Sequence, residues 1–303
     1  MFTRPRVLWC VFVLLSTTLA CSLTQTSQPA VSPSPTQTVP MRSPTSPVQT
    51  KTAEPSPSAA PPLATLSFTQ TPPAPAQTPA DLPEEAIFIL EPGPGSRVTS
   101  PVRVSGIADS TFEQTLVVRL LLDDGSQLAF APTTIQSEMG QRGPFELDLP
   151  FSVEGERQGF IQVYAASPRD GATTHLASVG VTLASSGPTD IRPTTSRQER
   201  IVIYQPAVAQ TISGGVAHVE GFALASFEQT LVVEVFDLDG ERVGMQPVTV
   251  QAPDLGIPGP FSADVPYQGA SAGPGRIVVR DPSPAFEGDY HLASVEITIG
   301  SDN

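Results

Sequence analysis

Cysteine is almost absent from this sequence. Its 303 residues include only Cys10 and Cys21, and Cys10 lies in an apolar run near the N-terminus. If that N-terminal segment is removed on export, Cys21 is the one cysteine that remains. The folded protein then has no intramolecular disulfide, so its stability must come from packing and hydrogen bonding.

Basic residues are also scarce. The sequence has 16 Lys and Arg against 30 Asp and Glu, which gives a formal net charge of -14 at pH 7. Binding to nucleic acid depends on a basic surface that faces the phosphates, and this composition argues against one. The same composition argues against purely electrostatic attachment to anionic lipid. We therefore expect no nucleic-acid partner.

Signatures of catalysis are missing as well. The stretch HLASV occurs twice and places a histidine three residues before a serine, first as His175 and Ser178. The second copy has His291 and Ser294. On a β-strand, side chains three residues apart point to opposite faces, and no nucleophile-elbow sequence surrounds either serine. The sequence predicts no catalytic residues, so we expect the protein not to be an enzyme.

Metal-ligand spacing is absent too. The acidic turns at 123–125 and 237–240 lack the further ligands and the distal glutamate of a calcium-binding loop. Asp281, Glu287 and Asp289 crowd a later loop, which is either a calcium site or, as we favour, a solvated acidic surface. His218 has no histidine or cysteine near it in the sequence. We expect no metal and no cofactor.

The N-terminus has the pattern of an export signal. Two arginines precede an unbroken apolar run at 7–15, which is too short to span a bilayer comfortably. The segment ends in TLAC at 18–21, which resembles a bacterial lipobox, and this resemblance implies cleavage before Cys21 and its diacylglycerol modification. We predict a signal peptide over 1–20 and a lipid anchor that holds the protein on the extracytoplasmic face of the cell membrane. An ordinary secretory signal or an uncleaved anchor is the alternative.

Residues 21–85 have the composition of a stalk. This stretch contains about 15 of the 34 prolines, and Ser, Thr, Gln and Ala fill most of the rest. Apolar residues are too sparse to form a packed core, and the prolines favour an extended chain. We predict a disordered, Pro/Ser/Thr-rich stalk that either lifts the folded part off the membrane or serves as a passive tether.

The rest of the chain is a tandem repeat. Three stretches recur at an offset of 115 or 116 residues: FEQTLVV at 112–118 and 227–233, GPF at 143–145 and 259–261, and HLASV at 175–179 and 291–295. A constant offset is typical of duplicated domains. The repeat predicts domains over 86–184 and 200–303, joined by a linker at 185–199.

Each repeat has the pattern of a β-sandwich. Seven short strands separated by turns in a unit of about 100 residues are typical of an antiparallel, immunoglobulin-like sandwich. The fold class is therefore all-β, with two tandem immunoglobulin-like domains after the disordered linker. The first repeat shows seven short apolar stretches between turn residues, at roughly 86–90, 101–107, 113–122, 126–131, 144–151, 159–166 and 175–183.

Comparison of the copies predicts which side chains face inward. Positions that are apolar in both copies and two residues apart form the core face, and the alternating positions, such as Arg119 with Glu234 and Leu122 with Asp237, are expected to face solvent. The predicted core positions are Leu116, Val118 and Leu120, which match Leu231, Val233 and Val235, and Ala177, Val179, Val181 and Leu183, which match Ala293, Val295, Ile297 and Ile299.

The Phe-Glu-Gln segment precedes a core strand in both copies. We expect Phe112 and Phe227 to pack under the sheet, and Glu113 and Glu228 to hydrogen-bond backbone amides at a bend. The alternative is a ligand contact made by both glutamates.

The order of motifs is the same in both copies. The first copy has SPVRVSG, FEQTLVVRL, a DG turn, GPFELDLPF and HLASVGVTL, and the second has close counterparts. This order resembles the bacterial spore-germination-associated immunoglobulin-like domain over about two-thirds of the chain. The resemblance implies an accessory module on an exported bacterial protein and implies no particular activity.

Together these features predict a non-catalytic, lipid-anchored protein of the cell envelope. Its two modules are expected to bind cell-wall glycan or an envelope protein, with higher avidity where both engage. The alternative is a structural spacer or assembly subunit that has no ligand of its own.

Overall fold

The computed structural model describes residues 82–301, which form β-strands and connecting turns. The predicted signal peptide, Cys21 and almost all of the predicted stalk lie outside the described residues. Within 82–301, no helix is long and apolar enough to cross a membrane.

Eight strands belong to each repeat, and we call the two sets module 1 and module 2. Module 1 contains β1 (Ile87–Glu91), β2 (Ser96–Thr99), β3 (Val102–Ala108), β4 (Thr115–Leu122), β5 (Gln127–Thr134), β6 (Gly143–Leu149), β7 (Glu156–Ala166) and β8 (Thr173–Ala184). Module 2 contains β9 (Ile201–Gln205), β10 (Thr211–Ile212), β11 (Val216–Ala223), β12 (Thr230–Phe236), β13 (Arg242–Thr249), β14 (Gly259–Pro266), β15 (Gly273–Pro282) and β16 (Asp289–Ile299).

The strands form two sandwiches that share one sheet. A three-stranded sheet of β1, β3 and β6 covers module 1, and one of β9, β11 and β14 covers module 2. The remaining strands of both modules form a single 10-stranded sheet in the order β13-β12-β15-β16-β8-β7-β4-β5, with β10 beside β16 and β2 beside β8. The all-β, immunoglobulin-like fold class is confirmed. The sequence missed β2, a four-residue strand that pairs parallel to β8.

Each module encloses its own apolar core, and the predicted inward positions are correct. In both copies of the FEQTLVV strand the three alternating aliphatic side chains are completely buried, as Leu116 and Leu231 illustrate. The inward positions of β8 and β16 are buried too. Burial of one Val or Leu side chain stabilises by about 1.5–3 kcal/mol, so these two cores hold the sandwiches together. The hairpins after β4 and β12 turn at Gly125 (φ 83°) and Gly240 (φ 78°), where a left-handed backbone favours glycine.

Two positions predicted to face solvent are buried. Glu234 is only 1% exposed because its carboxylate lies 2.6 Å from a nitrogen of Arg242 and 3.5 Å from one of Arg280. Asp237 is buried in the turn after β12, where it accepts hydrogen bonds from the backbone N–H groups of residues 239, 241 and 271. Charged groups tolerate burial when they are paired in this way, which the alternation of side chains does not reveal.

The expectation for the Phe-Glu-Gln segment is wrong. Phe112 and Phe227 are 59% and 49% exposed, so neither packs under the sheet. Glu113 and Glu228 have left-handed backbones, with φ of 52° and 46°, and the following glutamines are left-handed as well. Among the described residues, the exposed carboxylate of Glu113 makes no hydrogen bond. The segment is a tight left-handed turn that presents its phenylalanine outward.

In module 1 this turn is held by Gln114 rather than by the glutamate. The buried side-chain Nε2 of Gln114 donates to the Ser137 Oγ at 2.8 Å, the Glu138 carbonyl at 2.9 Å and the Gln141 carbonyl at 3.1 Å. Its Oε1 accepts a hydrogen bond from the Ser110 hydroxyl at 2.7 Å. One side chain therefore links the turn to the loop between β5 and β6.

The segment between the modules, 185–199, is ordered against module 1. Asp190 forms an antiparallel bridge with Arg97 of β2, and the backbone N–H of Gly93 donates to the Arg192 carbonyl at 2.6 Å. The backbone N–H of Thr194 donates to the Leu90 carbonyl at 2.9 Å. A segment with linker composition is thus a hydrogen-bonded part of module 1.

Replacing Gln114 tests the role assigned to this side chain. Gln114→Ala should lower the free energy of unfolding by about 1–3 kcal/mol, because carbonyls of the β5–β6 loop lose a buried donor. Gln229→Ala is the matched control, since the equivalent Gln229 side chain is half-buried and makes no hydrogen bond in the described part of the chain. Urea denaturation of both variants measures the difference, and equal losses would refute the assignment.

Candidate functional site at the module junction

The repeated HLASV stretch is where the modules meet. Strands β8 and β16 pair antiparallel, with Leu176 opposite Leu292 and His175 opposite Ala293. Leu176 and Leu292 occupy the same position of the repeat, so each copy pairs with its own equivalent. We call this pairing the seam, and it has approximate two-fold symmetry.

The two serines of the repeat reinforce the seam reciprocally. Ser178 Oγ of module 1 donates to the Tyr290 carbonyl of module 2 at 2.6 Å. Ser294 Oγ of module 2 donates to the Thr174 carbonyl of module 1 at 2.7 Å. Each hydroxyl is therefore committed to a backbone acceptor across the seam and donates to no histidine.

Polar contacts extend the seam to either side. Arg276 of module 2 is only 1% exposed, and its guanidinium bonds Asp170 of module 1 at 2.6 Å and Glu296 at 3.0 Å. The Gln162 side chain of β7 donates to the Asp289 carbonyl at 2.7 Å. Because breaking a buried ion pair leaves an uncompensated charge, these contacts fix the position of one module against the other.

Apolar side chains complete the contact. Leu176, Leu292 and Val278 form a buried cluster on the sheet face at the seam, with Tyr164 and Phe236 packed against it. Nearby, the ring of Phe160 from module 1 lies 5.3 Å from that of Phe286 and 5.1 Å from that of Tyr290, measured between centroids. Aromatic pairs at this spacing are attractive.

The two repeated histidines have different surroundings. The Nε2 atom of His175 lies 3.6 Å from a carboxylate oxygen of Glu199. His291 is buried, and this burial lowers its pKa well below the usual range, so the ring is neutral. The same residue type thus serves as a partly accessible polar group in module 1 and as an uncharged packing group in module 2.

The acidic loop of module 2 is not the solvated surface that the sequence predicted. Asp281 is completely buried opposite His291 in the β15–β16 pairing, and it accepts hydrogen bonds from the Ser226 N–H at 2.9 Å and the Ser226 hydroxyl at 2.5 Å. Burial raises the pKa of Asp281, and it raises the pKa of Asp289 to about 6. Glu287 alone is exposed. In the part of the chain that is described, no group of three or more His, Cys, Asp or Glu side chains is placed to hold a metal.

His218 has acidic partners that the sequence did not indicate. Its Nδ1 lies 2.7 Å from Asp264 Oδ1 and its Nε2 lies 2.9 Å from Glu220 Oε1. These hydrogen bonds raise the pKa of His218. Asp264 is opposite His218 on the neighbouring strand, so only the register of β11 with β14 reveals the contact. The cluster is exposed and lies apart from the seam.

A second antiparallel contact brings further charged groups to the junction. Glu84 bridges Gln198, the Glu85 N–H donates to the Arg197 carbonyl at 2.8 Å, and the Glu199 N–H donates to the Pro83 carbonyl at 2.9 Å. The stretch before module 1 therefore runs beside the stretch before module 2. As a result, Glu85, Glu199 and Arg200 come together although more than 110 residues separate the first from the others.

A pocket lies next to this contact, and we call it the junction pocket. Its volume is about 620 Å³, and module 1, the 185–199 segment and module 2 all contribute walls. Apolar side chains make up much of the lining. The polar part of the lining includes Glu85, Thr194, Glu199, Arg200 and His291.

Glu85 dominates the electrostatics of the junction pocket. It is only 9% exposed. Burial, and secondarily the charge of Glu199, raise the pKa of Glu85 to about 8, against the opposing effect of Arg200. Glu199 is well held, because it accepts hydrogen bonds from the N–H groups of Ala86 at 2.8 Å and Arg200 at 3.2 Å. At neutral pH the pocket therefore offers a protonated carboxyl group.

The comparisons with known proteins bear on the fold and the family. A family model described as "Immunoglobulin-like domain of bacterial spore germination" matches residues 86–172 and 200–285. These matches cover more than half of the chain, so the chain belongs to this family and carries two copies of the domain, as the sequence predicted. No curated protein matches the chain.

One of the solved structures that match the chain has only a weak similarity to it. The crystal structure of red sea bream transglutaminase is 6% identical, with a TM-score of 0.26. The match covers 72% of this chain and 32% of that one, so this chain spans about a third of its length. A likeness at this level carries no argument about activity.

Replacing Glu85 with its uncharged counterpart should stabilise the protein. The folded-state pKa of about 8 lies above the ordinary 4.5, so the unfolded chain releases a proton that the folded chain keeps. Stability is therefore lost as pH rises from about 4.5 through about 8. Glu85→Gln should raise the free energy of unfolding at pH 7 by about 1–3 kcal/mol and weaken its decline with pH.

The matched control is Glu91→Gln, which makes the same substitution at an exposed position. It should leave stability at pH 7 within about 0.5 kcal/mol of the original. Denaturant midpoints measured from pH 5 to pH 9 provide the comparison. A Glu85→Gln variant that is less stable than the original at pH 7 would contradict the assignment.

Proposed function

We propose that this member of the immunoglobulin-like spore-germination domain family is a non-catalytic, lipid-anchored protein of the cell envelope. It presents its two fused modules as one body that binds cell-wall glycan or an envelope protein. The junction pocket is the observation that carries the binding role, since it is a concave, largely apolar site with a few polar residues in its lining.

The seam supports the non-catalytic part of the proposal. Nucleophilic catalysis by serine needs a hydroxyl within hydrogen-bond reach of a base. Ser178 and Ser294 instead donate to carbonyls across the seam, and the Ser226 hydroxyl donates to Asp281. The two serines of the repeated HLASV stretch therefore serve to join the modules.

The alternative role, a structural spacer without a ligand, is favoured by a different observation. The shared 10-stranded sheet and the buried Arg276–Asp170 pair hold the two modules in one relative position. Two separate binding domains on a loose linker need no such contact, whereas a spacer of defined length does. A measurement of binding to the cell wall distinguishes the binding role from the spacer role.

Wall binding is tested with the full chain in mild detergent and purified peptidoglycan sacculi. The binding role predicts that the chain sediments with the sacculi, several-fold more than a lipid-free peptide of residues 21–85. It also predicts that soluble wall fragments compete with the sacculi. Sedimentation no greater than that of the 21–85 peptide would favour the spacer role or an envelope-protein partner.

The lipid anchor is tested in cells. Cys21→Ser should move the protein from the membrane fraction to the soluble extracytoplasmic fraction or block its processing, because the acyl chains provide its proposed membrane contact. Cys10→Ser is the matched control and should leave the protein in the membrane fraction. A Cys21→Ser protein that is cleaved after residue 20 and still fractionates with the membrane would argue for another mode of attachment.

A further inference from the structure

Three polar groups in the junction pocket lack hydrogen-bond partners. The Glu85 residue is only 9% exposed, and its carboxyl group makes no hydrogen bond to any described residue. Thr194 Oγ1 and Arg200 Nε are buried atoms that have no hydrogen-bond partner either. Buried polar groups are bonded in the great majority of cases, and an unmet one costs about 1–3 kcal/mol. Three such groups around one cavity point to a ligand that completes them.

The chemistry of the three groups restricts that ligand. Arg200 Nε–H can only donate, the Thr194 hydroxyl can donate or accept, and a protonated carboxyl group can do both at once. The ligand must therefore present an acceptor for the Glu85 hydroxyl and a second polar group for Thr194 or Arg200. It must also tolerate apolar walls, because much of the lining is apolar.

We propose that the junction pocket binds a secondary amide group, carried by an N-acyl sugar or by a short peptide. The Glu85 hydroxyl donates to the amide oxygen. Because a secondary amide is trans, its N–H points to the opposite side and donates to the Thr194 hydroxyl. This inference rests on the proposed wall-binding function, because N-acyl sugars and short peptides are the two amide sources in cell-wall material.

The charges around Glu85 favour a neutral ligand. Glu199 and Arg200 face it with opposite signs, and the buried ring of His291 is neutral. Arg192 lies on the lining but pairs with Asp190 at 2.8 Å. On the far side, Arg142 donates to the Glu85 carbonyl at 2.8 Å and forms ion pairs with Glu84 and Asp109. A cationic ligand is disfavoured because it must first displace the proton of Glu85.

The pH dependence of binding separates these ligand classes. With the pKa of Glu85 near 8, amide binding should be constant below about pH 7. Above pH 8 it should weaken by up to tenfold per pH unit, because ionised Glu85 no longer donates. A ligand that binds through an ammonium group should instead bind more tightly as the pH rises through 8.

The experiment uses the full chain in mild detergent and ligand-observed NMR titrations with three probes. These are an oligosaccharide of three N-acetylglucosamine units, N-acetyl-alanyl-alanine N-methylamide, and choline as the ammonium control, which keeps its charge at every pH. We expect saturable binding of one of the first two probes, which identifies the amide source, and no binding of choline. If neither amide probe binds, or if choline binds with rising affinity above pH 8, the proposal is wrong.

Two variants of Glu85 make the test specific. Glu85→Gln keeps a donor beside an acceptor, so binding should stay within about threefold of the original and lose its alkaline decline. Glu85→Ala should weaken binding at least tenfold at pH 7 while its thermal unfolding remains cooperative. Equal binding by all three proteins would overturn the assignment to this pocket.

The sedimentation experiment with sacculi and the NMR titration with amide probes test separate claims. Retention on sacculi without binding of either amide probe removes the pocket from the function and leaves wall binding intact. Binding of an amide probe without retention on sacculi leaves the amide site intact and removes the wall as its source.

Discussion

The structure depends on the antiparallel pairing of β8 with β16. A strand at the edge of a sheet exposes unpaired backbone N–H and C=O groups, which attract other chains unless they are covered. Here each module covers the other's edge, and the two equivalent leucines meet at the centre of the pairing. The reciprocal serine bonds, the buried Arg276 and the tilted aromatic rings all lie around that contact. The junction pocket exists because the same contact brings the beginnings of the two modules together.

Approximate two-fold symmetry explains why duplicated sequence does not mean duplicated sites. Glu85 and Glu199 occupy equivalent positions of the two repeats, two residues before the first strand of each, yet both line the same pocket. The copies have diverged in how these carboxyl groups are held, because Glu199 accepts two backbone hydrogen bonds and the carboxyl group of Glu85 accepts none. His175 and His291 also differ, since one lies near a carboxylate and the other is buried and neutral. Equivalent residues of the two copies therefore build the seam and meet again in the pocket beside it.

The sequence predicted the parts of the fold that depend on local alternation. Leu116, Val118 and Leu120 are buried as expected because the pleat of a strand sends alternate side chains to opposite faces. The sequence failed to predict the burial of Glu234 and Asp281, because that burial depends on partners distant in the chain. It also failed for Phe112, since a hydrophobic residue before a strand gives no sign that the backbone will turn left-handed and expose it. The sequence could not predict the junction pocket for the same reason, because no local pattern shows that Glu85 lies beside Glu199.

The bridge between Glu84 and Gln198 also determines how the molecule carries a mechanical load. The backbone around Glu85 is hydrogen-bonded directly to the backbone around Arg197 and Glu199, at the point where module 2 begins. A force applied to the chain before residue 82 therefore reaches both modules at once, instead of passing through module 1 and then along a connecting segment.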